Sequence, residues 1–181
     1  MKSLPRSLTF LCALALVLFA GIQRASAATP DSTKITQLLN DAKSHAVEAQ
    51  GDAATLEAYT RSRVSWKLHS YELDSMKLHV NEMGKIAVEL QDLEPLGSDW
   101  QKQAIQQVMP LLRDMAGNLT KTIQHLNENQ AQVHMSAYRE YTRTNYQLAK
   151  RTADLIRDFV DYDEARATTA SLEDKLELAQ K

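Results

Sequence analysis

From Asp52 to Leu93 the chain has no proline and a single glycine, Gly84, and its apolar residues recur every seven positions. One row runs Tyr59, Trp66, Leu73, Val80 and Ala87; a second runs Ser62, His69, Met76, Met83 and Leu90. Two such rows side by side form the narrow seam along which long helices cross at a shallow angle. Asp52, just after Gly51, reads as the N-cap of this helix, and Pro95 with Gly97 as its stop. At 1.5 Å per residue the helix is roughly 60 Å long, so its partners must be long as well. The expected fold is all-α: an elongated antiparallel bundle of four up-and-down helices, with one long central helix and a kinked partner.

The chain opens with Lys2 and Arg6 before the apolar run Leu8 to Ile22, then Ala25-Ser26-Ala27. A basic start, a short apolar run and a small-x-small triplet are the marks of an export leader cleaved after Ala27. The run is short for a membrane span, so residues 1–27 are expected to leave with Cys12, the chain's one cysteine. The bundle domain is then 28–168, with 169–181 as a C-terminal tail. The expected location is the periplasm or the secreted fraction, with no transmembrane segment in the mature chain.

Formal net charge is −2 for the whole chain, and more negative without Lys2, Arg6 and Arg24. No basic face offsets this balance, which argues against a nucleic-acid partner. Without cysteine pairs in an oxidising compartment, stability has to come from apolar seams and self-association. Asn118-Leu119-Thr120 matches the glycosylation pattern, which would be idle in a bacterial envelope.

Ahead of the long helix, Thr29-Pro30 resembles a cap with a first-turn proline. The helix after it, to about Gln50, would bury Ile35, Leu38, Leu39, Ala42, Ala46 and Ala49 and turn back at Gly51. After Gly97, Ser98 and Gln101 make a capping-box pattern. The helix that follows places Trp100, Ile105, Val108, Leu112, Met115, Leu119, Ile123 and Leu126 inward, and Pro110 predicts a bend near 106–110. Asn127 to Gln130 is the expected reversal. The last long helix, about Ala131 to Ala167, carries Tyr138, Tyr141, Tyr146 and Tyr162, and Ser171-Leu172-Glu173-Asp174 resembles a further helix start.

Four histidines have a glutamate three residues on: His45/Glu48, His69/Glu72, His79/Glu82 and His125/Glu128. Each pair shares a helix face, where a weak ion pair is the ordinary outcome. His79 and His125 project away from the seams and read as solvated. His69 and His134 fall in core-facing rows. Reversals at 94–97 and 129–130 would bring them within about four residues, or about 6 Å of rise, of the same level. Met76 and Met135 would lie nearby. The first expectation is a structural polar layer with no cofactor. The alternative is a cofactor or metal site at His69, His134 and Met76, binding haem b or copper.

There is no His-Glu-x-x-His, no Gly-rich phosphate loop, no calcium-loop pattern and no nucleophile elbow, so no catalytic residue is assigned and no enzyme is expected. Leu119-Thr120 followed by Gln124 sits one residue off the Leu-Thr-x-x-Gln spacing of periplasmic stress-sensor and metal-resistance helical proteins, too little to assign a family. The functional expectation is an exported scaffold or protein-interaction module of the cell envelope, acting on another envelope protein or on itself. A periplasmic chaperone or stress-sensor-like binder is the alternative.

Overall fold

The structure, a computed structural model, describes residues 29–179; the expected leader, with Cys12 and the expected cleavage after Ala27, lies outside the described residues. Four α-helices follow one another: α1 Thr33–Tyr59, α2 Trp66–Leu93, α3 Asp99–Glu128 and α4 Ser136–Ala179. Short 3₁₀ turns at Glu94–Leu96 and Gln130–Gln132 link α2 to α3 and α3 to α4. α1 packs on α2 and α4, and α3 packs on α4 and α2, so the order around the bundle is α2, α1, α4, α3. The all-α bundle is as expected, and among the described residues no helix is long and apolar enough to cross a membrane.

The first reversal is not at Gly51. α1 runs through it to Tyr59, and the helix expected over Asp52 to Leu93 is broken at residues 60–65. Glycine inside a helix costs roughly 1 kcal/mol relative to alanine. Burying Leu56 alone returns roughly 2 kcal/mol, and Ala49, Ala53 and Leu56 beyond or beside the glycine are all 0% exposed. What ends α1 is a cluster of hydroxyl residues that bond to their own backbone. Thr60 Oγ1 donates to the Glu57 carbonyl at 2.7 Å and Ser62 Oγ to that of Tyr59 at 3.3 Å. Backbone bonds from Thr60, Arg61 and Ser62 to carbonyls three residues back tighten the last turn. Extended backbone at Ser65 then starts α2.

α1 starts three residues later than Thr29-Pro30 suggests, with Ser32 as its N-cap. α3 starts after Ser98 as expected, and Gln101 Oε1 accepts from Ser98 N at 3.1 Å. That amide also joins two helices. Its Oε1 accepts from Ser32 N at 2.9 Å, and its Nε2 donates to the Ser32 carbonyl at 2.9 Å and to Thr36 Oγ1 at 3.1 Å. Gln101 is 0% exposed, so one satisfied buried amide caps α1 and α3 together. Beside it, a Cβ on Gly97 would stand 3.0 Å from Ile35 Cδ1 and 3.2 Å from Gln101 Cβ, which explains the glycine by close approach. Asp31 completes the clasp, accepting from Trp100 Nε1 at 2.7 Å and Arg166 at 2.8 Å. Partial burial works against its ionisation, but Ser98, Trp100 and Arg166 outweigh that and hold the carboxyl below its ordinary range.

Pro110 lies inside α3 on its exposed side, and the helix continues through it. The missing N–H therefore falls on a solvent-facing turn, where the lost bond leaves no buried group unpaired. The reversal expected at Asn127 to Gln130 is present, with Asn129 closing α3. α4 begins at Ser136, later than Ala131, because Gln130–Gln132 forms a 3₁₀ turn first. It then runs unbroken past Ala167 and through Ser171 to Ala179.

Because Gly51 lies in a helix interior and a Cβ there meets nothing within 4 Å, Gly51→Ala is expected to stabilise the fold by roughly 0.5–1 kcal/mol. Urea denaturation checks this; a destabilised variant would mean that the chain turns at residue 51 after all.

Candidate functional site

Two groups of polar and aromatic side chains lie off the aliphatic core. The first is at the end of the bundle formed by the α1–α2 and α3–α4 turns. His69, 0% exposed, stands edge-on to Tyr59 and Tyr138, with ring centroids 5.7 and 5.4 Å away. Tyr138, also 0% exposed, stacks on His125 at 5.9 Å, and His125 lies 5.3 Å from Tyr141. Neither ring nitrogen of His69 nor the Tyr138 hydroxyl has a protein hydrogen-bond partner. Burial first, and the His134 imidazole second, lower the His69 pKa from 6.5 to about 4, so the ring is neutral at pH 7. Burial likewise pushes the Tyr138 phenol well up.

His134 does not join His69 in the core. It is exposed, as is Met135 at 58%, whereas Val133 beside it is 4% exposed and Met76 is 0% exposed. The reason is the 3₁₀ turn. Counting sevens back from Tyr141 assumes α-helical phase, and the α-helix begins only at Ser136. His69 and Met76 therefore face the core without His134. The row His134, Tyr141, Leu148, Leu155 and Tyr162 flanks the seam, which is formed by Tyr138, Thr142, Asn145, Ala149, Thr152, Ala153, Ile156 and Val160. His125 is not a solvated residue either; its Nε2 is buried.

The polar layer expected near His69 is found one step further into the bundle, between α3 and α4. Asn145 Nδ2 donates to Thr122 Oγ1 at 2.9 Å, and Asn118 Nδ2 donates to Asn145 Oδ1 at 2.7 Å and to the Tyr141 carbonyl at 3.0 Å. Thr122 Oγ1 in turn donates to the Asn118 carbonyl at 2.8 Å. The asparagine of the glycosylation-like triplet is thus engaged in helix packing.

The second group runs along the α1–α2 interface and was not anticipated. His45, Asp52 and Tyr59 recur at seven-residue spacing on α1, facing Glu72, Ser75, His79 and Glu82 on α2. His45 Nδ1 and His79 Nδ1 are 3.2 Å apart. His79 Nε2 lies 3.9 Å from Asp52 Oδ2. Tyr59 donates to Glu72 Oε1 at 3.4 Å. Burial raises the Asp52 carboxyl, with Glu48 adding to the shift and Ser75 and His79 opposing it. Burial and the charge of Asp52 raise Glu72, while Tyr59 opposes. His79, expected to be solvated, has a side chain only 19% exposed. Placing the turn at Gly51 removed Asp52 and Tyr59 from α1 and left His79 without a facing helix. The signal available was the seven-residue recurrence of polar residues across Gly51.

Among the described residues no group of three or more His, Cys, Asp or Glu side chains is placed to hold a metal ion together. A shallow apolar groove between α3 and α4 is lined by Trp100, Gln103, Leu155, Asp158, Phe159 and Tyr162; nothing in it resembles a nucleophile held by a base. Scans against protein-family models, curated proteins and solved structures returned no match to this chain.

The lowered His69 pKa links stability to pH. Between pH 6.5 and about 4 the unfolded chain takes up a proton at His69 that the folded chain refuses, so stability falls as pH falls across that window, by about 3 kcal/mol in all. His69→Phe keeps the aromatic packing and removes the proton site. On acidification from pH 7 to 4 the variant is expected to lose about 2–3 kcal/mol less than the parent in urea denaturation. Equal losses in the two proteins would refute a buried neutral histidine at this position.

Proposed function

We propose that the protein is a non-catalytic helical-bundle interaction module of the cell envelope, and that the C-terminal part of α4 is its binding element. The observation that carries this reading is the reach of α4. It spans 44 residues where the other helices span 27 to 30. Its last tie to the bundle is Arg166 on Asp31, and every described residue from Glu164 to Leu178 is exposed. The free part is about 20 Å long.

An unsupported helix of this length is marginal in water, and this one carries Tyr162, Ala165, Thr169, Leu172 and Leu176 at alternating three- and four-residue spacing. That is the narrow stripe of a coiled-coil seam. Leu172 and Leu176 are 54% and 64% exposed, so among the described residues nothing covers the seam. A second helix with a matching stripe completes it. A second copy of this chain supplies one, because two identical stripes related by a twofold axis meet each other. Export by the leader would place this pairing outside the cytoplasm.

Light scattering behind size exclusion tests the reading. The parent is expected to gain mass with concentration, and Leu172→Asp with Leu176→Asp to stay at one-chain mass with the same bundle helicity and thermal midpoint. A parent that is monomeric at all concentrations would overturn it.

A further inference from the structure

The apolar groove between α3 and α4 and the bare stripe on the free end of α4 are one continuous surface. The α4 wall of the groove carries Leu155, Phe159 and Tyr162 at four- and three-residue spacing, and Ala165, Thr169, Leu172 and Leu176 carry the same face onward in the same heptad phase. Trp100 of α3 forms the opposite wall, its ring 6.0 Å from that of Tyr162. The stripe is therefore a groove with a flanking helix at one end and an uncovered ridge at the other. Charge differs between the two ends as well. Asp161 and Lys175 each stand one residue ahead of a stripe residue, Tyr162 and Leu176, and so flank the seam on the same side. When two helices run antiparallel, flanks of that kind face each other.

We infer that two copies of the chain pair antiparallel, so that the free end of each α4 lies in the α3–α4 groove of the other. This rests on the self-association proposed above and adds its direction and its acceptor. With the twofold axis level with Ala167, Leu172 of one copy stands opposite Tyr162 of the other, and Leu176 enters the groove between Leu155 and Tyr162, against Phe159. The small residues Ala165 and Thr169 meet near the axis. Lys175 then faces Asp161, with Asp158 one turn before it, and the symmetry repeats this pairing at the other end. Arg166 approaches its twin across the axis, and each is already paired with Asp31 at 2.8 Å. Every large apolar side chain of the stripe thus gains an apolar partner. A parallel pair does not achieve this: it lays groove against groove at one level, leaves both without a helix to fill them, and sets Leu176 only against Leu176.

A nitroxide label at the exposed position Lys150→Cys, in a Cys12→Ser chain, reads the direction by double electron–electron resonance. Each label lies about 17 residues from the axis at 1.5 Å per residue, so the antiparallel pair holds the two roughly 50 Å apart, whereas a parallel pair brings them within about 30 Å. Charge exchange reads the seating. Asp161→Lys and Lys175→Asp should each weaken association several-fold by setting like charges together, and the two combined in one chain should restore it, with bundle helicity unchanged throughout. A dimer whose labels lie within about 30 Å, or a double variant that associates no more tightly than the single ones, would overturn the antiparallel seating and leave self-association standing. A labelled parent that stays at one-chain mass at all concentrations would remove both.

Discussion

The alanines of α1 set the geometry on which the rest of the bundle depends. Ala42, Ala46, Ala49 and Ala53 are at most 1% exposed and lie on the stripe that meets α2 and α4. Side chains this small contribute little apolar area, but they let helices approach closely. The residues flanking the stripe can then reach across. On one side His45, Asp52 and Tyr59 meet α2; on the other, Lys43 pairs with Asp161 of α4 at 3.4 Å. A leucine in the stripe would add burial and push both flanks apart. Bulk is supplied elsewhere, by fully buried Met76, Met83 and Met115, whose flexible side chains fill irregular gaps.

The two ends of the bundle are held by different physics. At the end where α1 and α3 begin, Gln101 and Asp31 satisfy backbone and side-chain groups from three helices. At the other end His69 and Tyr138 meet edge-on, with polar atoms that no protein group satisfies. Buried polar groups without partners cost free energy that packing has to offset. One end is therefore closed by directional bonds between helices, whereas the His69 and Tyr138 rings at the other end are held by shape, with the Asn118, Thr122 and Asn145 bonds lying one step further in.

Heptad periodicity made the helices and most of the core legible in the sequence. All six inward residues assigned to the first helix are buried, and the capping pattern at Ser98 and Gln101 marks a true start. The errors came from punctuation. Gly51 is a strong turn signal, yet its cost is smaller than the burial gained by continuing. Residues 60–65 carry neither glycine nor proline and end α1 through weaker hydroxyl-to-backbone bonds. Once that boundary moved, the facing partners of His45, Asp52 and Tyr59 moved with it. A short 3₁₀ turn after Asn129 similarly shifted His134 from the core to the surface. Contacts across an interface depend on register, and register is lost with each misplaced turn.

The bonds joining Asn118, Asn145 and Thr122 have a consequence for how α4 is aligned. Leucine, alanine and valine seams tolerate sliding, because one apolar side chain can take another's place. A buried amide, a half-buried amide and a buried hydroxyl accept no such exchange: displacing α4 by a turn would part all three from their partners and leave Asn145 and Thr122 stranded in the interface. They act as a vernier mark between α3 and α4. By fixing that alignment they also determine how far the free end of α4 stands clear of the bundle.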